Sequence, residues 1–162
     1  MSTAASTLFF KTESDFALVR YNPDGSLDTL FGSGGKEVSE VASAPFSSAS
    51  IVLLVDGKLM LAGGEYTSGT TNGDFVLARF NADGSLDTSF GTGGAVTTDF
   101  DGGNDGSWTA AFQADGKILV GGQASVGSDT DFALARYNAN GTLDTTFGSG
   151  GKTTVSIDGQ TN

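Results

Sequence analysis

Three segments of this chain align without a gap, and that self-similarity constrains the fold more than any other feature. They read DFALVRYNPDGSLDTLFGSGG (Asp15–Gly35), DFVLARFNADGSLDTSFGTGG (Asp74–Gly94) and DFALARYNANGTLDTTFGSGG (Asp131–Gly151), at offsets of 59 and 57 residues. A second shared element lies between them, VDGKLMLAGG from Val55 and ADGKILVGG from Ala114. A repeat of this length is one supersecondary unit that buries its apolar faces on its neighbours.

Each period parses into four short strands. In the best-formed unit they fall at Ala95–Asp99, Ser107–Ala114, Lys117–Gln123 and Asp131–Asn138. A DG turn at Asp115-Gly116 joins the second to the third, and a looser loop joins the third to the fourth. The strands are rich in Val, Ile, Leu, Phe and Ala and are bounded by Gly, Asn and Asp. The chain holds 25 Gly against 2 Pro, a composition suited to tight turns that need positive φ. No stretch carries a sustained helical period with caps. In the last strand Phe132, Leu134 and Arg136 alternate with Ala133, Ala135 and Tyr137, so both faces carry apolar groups. A sheet covered on each side by another sheet has that need. The expected fold is all-β, with propeller blades of four-stranded antiparallel sheet, about three to the chain.

The DFALARYNxDGSLDxxFGxGG stretch followed by a DGKILVGG strand resembles the delta-60 repeat of bacterial proteins, grouped with β-propellers. The resemblance runs over nearly the whole chain from about Leu8. It implies tandem arrays in large, exported or cell-surface proteins. It brings no catalytic residues with it.

The frame of the repeats suggests how the blades are cut. Residues 1–35 read as a partial blade, 36–94 and 95–151 as full blades, and 152–162 as the first strand of a further blade that completes the partial one. Propellers close with four to eight blades, and an unclosed array exposes apolar faces and strand edges. The expectation is a homo-oligomer in which one chain's C-terminal strand completes the next chain's first blade. Two chains would give six blades in a two-fold dimer, with higher open assemblies as the alternative.

Composition removes several functions. Asp and Glu number 19 against 8 Lys and Arg, a net charge of −11, which argues against nucleic acid or an anionic membrane as partner. The longest apolar run, Ile51–Val55, is far too short to span a bilayer. Met1–Thr7 lacks the basic and apolar regions of a signal peptide. There is no Cys and no His, so disulfides, thiolate metal sites and a Ser-His-Asp triad are unavailable to this chain.

Several residue groups are candidate sites. The turns Asn22–Asp28, Asn81–Asp87 and Asn138–Asp144 resemble a calcium loop in their spacing of oxygen ligands. Yet Arg20, Arg79 and Arg136 stand where a carboxylate is wanted, and Asn140 replaces the middle Asp. An Asx-stabilised hairpin turn is the preferred reading. The same arginines lie eight residues before Asp28, Asp87 and Asp144, and a structural Arg–Asp pair in each blade is preferred to an arginine ring around a channel. Asp99, Asp101, Asn104 and Asp105 form the most acidic loop and the best candidate for calcium, set against a solvated connection. Trp108 and Tyr66, with Phe112, could stack against a sugar or could pack between blades. GSGGKT at Gly148–Thr153 is not a phosphate loop: Thr146 stands where the motif needs its first Gly, and no helix follows.

The functional expectation is a non-catalytic structural or interaction module that self-assembles and presents loops to protein partners. A glycan-binding propeller, with or without calcium, is the alternative. A glycoside-active enzyme comes third, since nothing in the spacing selects two carboxylates. No cofactor is expected, calcium being the one candidate.

Overall fold

The computed structural model describes residues 5–10, 15–41, 46–54, 56–65 and 73–156. Among these the chain is all β, with eleven strands in three antiparallel sheets and no helix. No helix is therefore long and apolar enough to cross a membrane. The first sheet has the order β1 (Ala5–Phe10), β2 (Asp15–Tyr21), β3 (Lys36–Glu40). The second runs β4 (Phe46–Leu53), β5 (Leu59–Glu65), β6 (Phe75–Phe80), β7 (Ala95–Thr98). The third runs β8 (Gly106–Phe112), β9 (Ile118–Val126), β10 (Asp129–Tyr137), β11 (Lys152–Val155). Within each sheet every strand pairs with the next in sequence, as antiparallel neighbours joined in sequence do.

The second sheet shows why the strands are apolar on both faces. Side chains alternate along a strand, and here each alternation finds a sheet. Leu59, Leu61, Ala78 and Phe80 cluster with Leu18 and Phe31 of the first repeat. Met60, Ala62, Phe75 and Leu77 cluster with Ile118, Val120, Ala133, Ala135 and Tyr137 of the third sheet. Burying each large side chain contributes about 1.5–3 kcal/mol, so the two inter-sheet layers, and not any one sheet, hold most of the stability. A buried serine crosses one layer: Ser107 Oγ donates to Gly63 O at 2.7 Å.

The strand positions follow the expected pattern closely, but the phase of the blades does not. Ala95–Thr98 pairs with β6 and closes the second sheet instead of opening the third. Lys152–Val155 pairs with β10 and closes the third sheet of its own chain. The units 36–94 and 95–151 are thus each cut one strand away from the real sheets. The strand at 152–155 does not belong to a further blade that completes residues 1–35. Hydrogen bonds explain the choice. The turn after β10 folds back so that Arg136 N donates to Gly151 O at 2.9 Å, and the nearest edge takes the strand that follows. The connection from β9 to β10, expected as a loose loop, is a tight hairpin with Gly127 at φ 62°.

A second polar contact crosses the layer between the second and third sheets. Tyr137 is fully buried, and its hydroxyl donates to Thr98 Oγ1 at 2.8 Å. Burial raises its pKa well above the ordinary 10.0, so it stays a donor at any working pH. Phe80 occupies the equivalent place in the second repeat, without a hydroxyl. Tyr137→Phe leaves Thr98 without its donor and is expected to cost about 1 kcal/mol in urea unfolding.

Candidate interaction surface

Each repeat carries the same turn, built from its own side chains. Asp24, Asp83 and Asn140 accept through Oδ1 from the backbone N–H two residues on, at 2.9, 2.9 and 3.1 Å. Asn22, Asn81 and Asn138 donate to the hydroxyls of Ser26, Ser85 and Thr142. The oxygens that resemble calcium ligands are thus engaged in holding an Asx turn.

The Arg–Asp pairs form in all three repeats. Arg20, Arg79 and Arg136 donate through Nε to Asp28, Asp87 and Asp144 at 2.8, 2.7 and 2.7 Å. Their guanidinium carbons lie 4.6–4.7 Å from the ring centres of Phe31, Phe90 and Phe147, a cation–π geometry. Two further cations join them. Lys58 Nζ reaches Asp87 and Lys117 Nζ reaches Asp144, both at 2.6 Å. Ser89 and Thr146 hydroxyls donate to the second oxygen of each carboxylate. These donors, Lys58 and Lys117 foremost, hold both carboxyls far below the ordinary value of 3.8. The lysines escaped the sequence reading, although they are the K of each DGK element; the signal was that the motif recurs with its lysine unchanged.

The arginine, the ring and the glycine after it also reach the neighbouring repeat. Arg20 Nη1 donates to Ala82 O, and Arg79 Nη1 donates to Ala139 O at 2.7 Å. Gly32 N donates to Asp83 O at 2.7 Å and Gly91 N to Asn140 O at 2.9 Å. Phe31 and Phe90 press on Gly84 and Gly141, where a Cβ would stand 3.0 and 3.1 Å from the ring. Both glycines also sit at φ above 90°, so only Gly fits. Each repeat thus latches onto the turn of the next.

The acidic loop joins the second sheet to the third and is organised differently from the expected ligand set. Asp99 and Asp105 converge with Asp74, their carboxylate oxygens within 4.8 Å of one another. Asp101 does not belong to this group, the Asn104 carbonyl accepts from Ser125 Oγ at 3.0 Å, and Asp74 comes from the start of the repeat's apolar strand. Asp105 is buried and accepts from Phe100 N at 2.7 Å and Ser125 N at 3.2 Å. Burial above all, then repulsion from Asp99, raises the pKa of Asp74. Burial also raises that of Asp105, against the two backbone donors. Lys152 Nζ donates to Asp99 O at 2.7 Å and ties the loop to β11.

The outer face of the third sheet is uncovered among the described residues. Phe132 is 52% exposed and Leu134 37%, while their counterparts Phe75 and Leu77 are 0% exposed beneath the third sheet. Trp108 is 48% exposed and meets Phe132 edge-on, with ring centres 6.3 Å apart. It sits at a register shift between Ser107 and Thr109, a bulge that re-aims the side chain. Phe112 is also exposed. Tyr66 lies outside the described residues.

A family described as "Domain of unknown function (DUF5122) beta-propeller" matches residues 4–31, 56–90 and 113–147, together more than half of the chain. The chain belongs to this family. The three DUF5122 matches end at Phe31, Phe90 and Phe147, so the arginine and the ring of each latch lie inside the family's repeat and the glycine one residue beyond it. Comparison with curated proteins and with solved structures found no match for this DUF5122 chain.

Proposed function

We propose that the chain is a non-catalytic interaction module of the propeller kind, a member of the delta-60 type of repeat, whose uncovered third-sheet face docks a protein partner. One observation carries this reading: Phe132 and Leu134 are exposed at positions where the preceding repeat buries the same residue types completely. An apolar sheet face bordered by an arginine and a tryptophan has the chemistry of a protein interface core. Self-assembly is the finest form of the reading, two chains supplying six sheets, a number within the range at which propeller rings close. Catalysis is not part of it, because the recurrent polar groups are engaged in turns and ion pairs. No cofactor is part of it either, since backbone donors already hold Asp105.

Exposure of Trp108 favours the alternative, a glycan platform. The sole tryptophan decides between them. Its quenching by acrylamide is expected to fall when the protein face is covered, and to be indifferent to a panel of oligosaccharides and to millimolar calcium. Protection that follows an oligosaccharide titration, or a calcium-dependent rise in melting temperature, would replace the interaction module with a lectin-like reading.

A further inference from the structure

The contact between consecutive repeats is made twice inside the chain from the same parts. The giving side is an arginine Nη1, a phenylalanine ring and the following glycine N–H, with a buried leucine of the arginine's strand, Leu18 or Leu77, on the same side. The receiving side is the turn of the next repeat, two carbonyls and a glycine. Arg20, Phe31 and Gly32 grip Ala82, Asp83 and Gly84; Arg79, Phe90 and Gly91 grip Ala139, Asn140 and Gly141. Among the described residues, the giving side of the third repeat and the receiving side of the first have no such partner. Arg136, Phe147 and Gly148 form a giving side with Phe132 and Leu134 beside it. Phe147 is half-buried, whereas Phe31 and Phe90 are completely buried. Pro23, Asp24 and Gly25 form a receiving side, exposed, and a Cβ on Gly25 would meet nothing within 4 Å.

We propose that these two ends bind each other between copies of this chain. Arg136 Nη1 then donates to Pro23 O of the second copy and Gly148 N to Asp24 O, while the Phe147 ring covers Gly25. The contact is head-to-tail, so the two patches differ and neither pairs with itself. The inference rests on the interaction-module reading and narrows its partner to a second copy. The internal contacts argue for that occupant: the open halves are matched donor for acceptor and ring for glycine, and the same joint already holds the three sheets together. The strand at 152–155 plays no exchanged part, because it is spent within its own sheet.

Two variants test the polarity. Phe132→Glu places a charge on the giving side. Gly25→Asn fills the receiving side with a residue that tolerates positive φ and keeps the Gly25 N–H that donates to Asn22 O at 2.9 Å. By native mass spectrometry at micromolar concentration, the parent chain is expected to assemble and each variant alone to be a single chain. An equimolar mixture of the two variants should give a complex of two chains and no more, since each partner keeps one intact end. Circular dichroism and melting temperature check that both variants fold, and Gly25→Asp, which also tolerates positive φ, replaces Gly25→Asn if the latter does not.

A parent chain that stays single overturns the proposal. So does assembly of Gly25→Asn alone, which would mean that third-sheet faces pair with each other, or assembly of Phe132→Glu alone, which would place the contact elsewhere. These failures leave the interaction module standing, whereas protection of Trp108 by an oligosaccharide would remove that reading itself.

Discussion

Phe90→Ala should lower the free energy of unfolding by about 3–5 kcal/mol, the usual cost of emptying a fully packed aromatic site. Phe147→Ala, in the same motif one repeat later, should cost about 1 kcal/mol or less in the single chain. The two residues share every local feature: each follows an Asp-Thr-Ser/Thr tripeptide and each lies under an arginine at 4.7 Å. They differ in their cover. Phe90 is fully buried, with the Gly141 turn of the third repeat packed on its ring, whereas Phe147 is half-buried. Urea unfolding of both variants at a dilution where the chain is single measures the difference. Equal losses would mean that the ring is stabilised by its own repeat, and that the latch contributes nothing.

Asp87→Ala is expected to cost about 3 kcal/mol, because it leaves Arg79 and Lys58 sharing a confined site without their anion. Its carboxyl is held far below 3.8 in the folded chain, which also sets the response to acid. Below about pH 4 the unfolded chain takes up a proton at this position that the folded chain refuses. The stability contributed by Asp87 is therefore complete above that pH and is lost as the pH falls further. Asp144 behaves in the same direction for the same reason, with Lys117, Thr146 and Arg136 as its donors. Asp87→Ala should thus unfold more readily at neutral pH and show a shallower loss between pH 4 and pH 2. An unchanged acid limb would place the acid sensitivity elsewhere.

Much of this was legible from the repeat. The alternation of Phe132, Leu134 and Arg136 with Ala133, Ala135 and Tyr137 identified a strand with apolar groups on both faces, although in the third sheet only the Ala133, Ala135 and Tyr137 face is covered. The recurrence of Arg and Asp eight residues apart identified the ion pair. Such features are local, or they repeat at fixed spacing, and a single chain displays both. The phase of the sheets was not legible. A period read from aligned residues has no natural origin, and only the pairing of Ala95–Thr98 with β6 shows where one sheet ends. Asp74 was invisible as a neighbour of Asp99 and Asp105 for a related reason: the loop that carries two of them returns to the start of β6 only after the sheet has folded.

The sequence by itself determined that this chain is built of repeated β units, which turns join them, and which arginine and aspartate face each other in every turn. Only the tertiary structure decided which strand closes which sheet, which lysines complete the ion pairs, and which of three equivalent phenylalanines is covered. Local hydrogen bonding and side-chain alternation are written into neighbouring residues. Burial is a property of what lies opposite, and near-identical copies of one motif are covered differently.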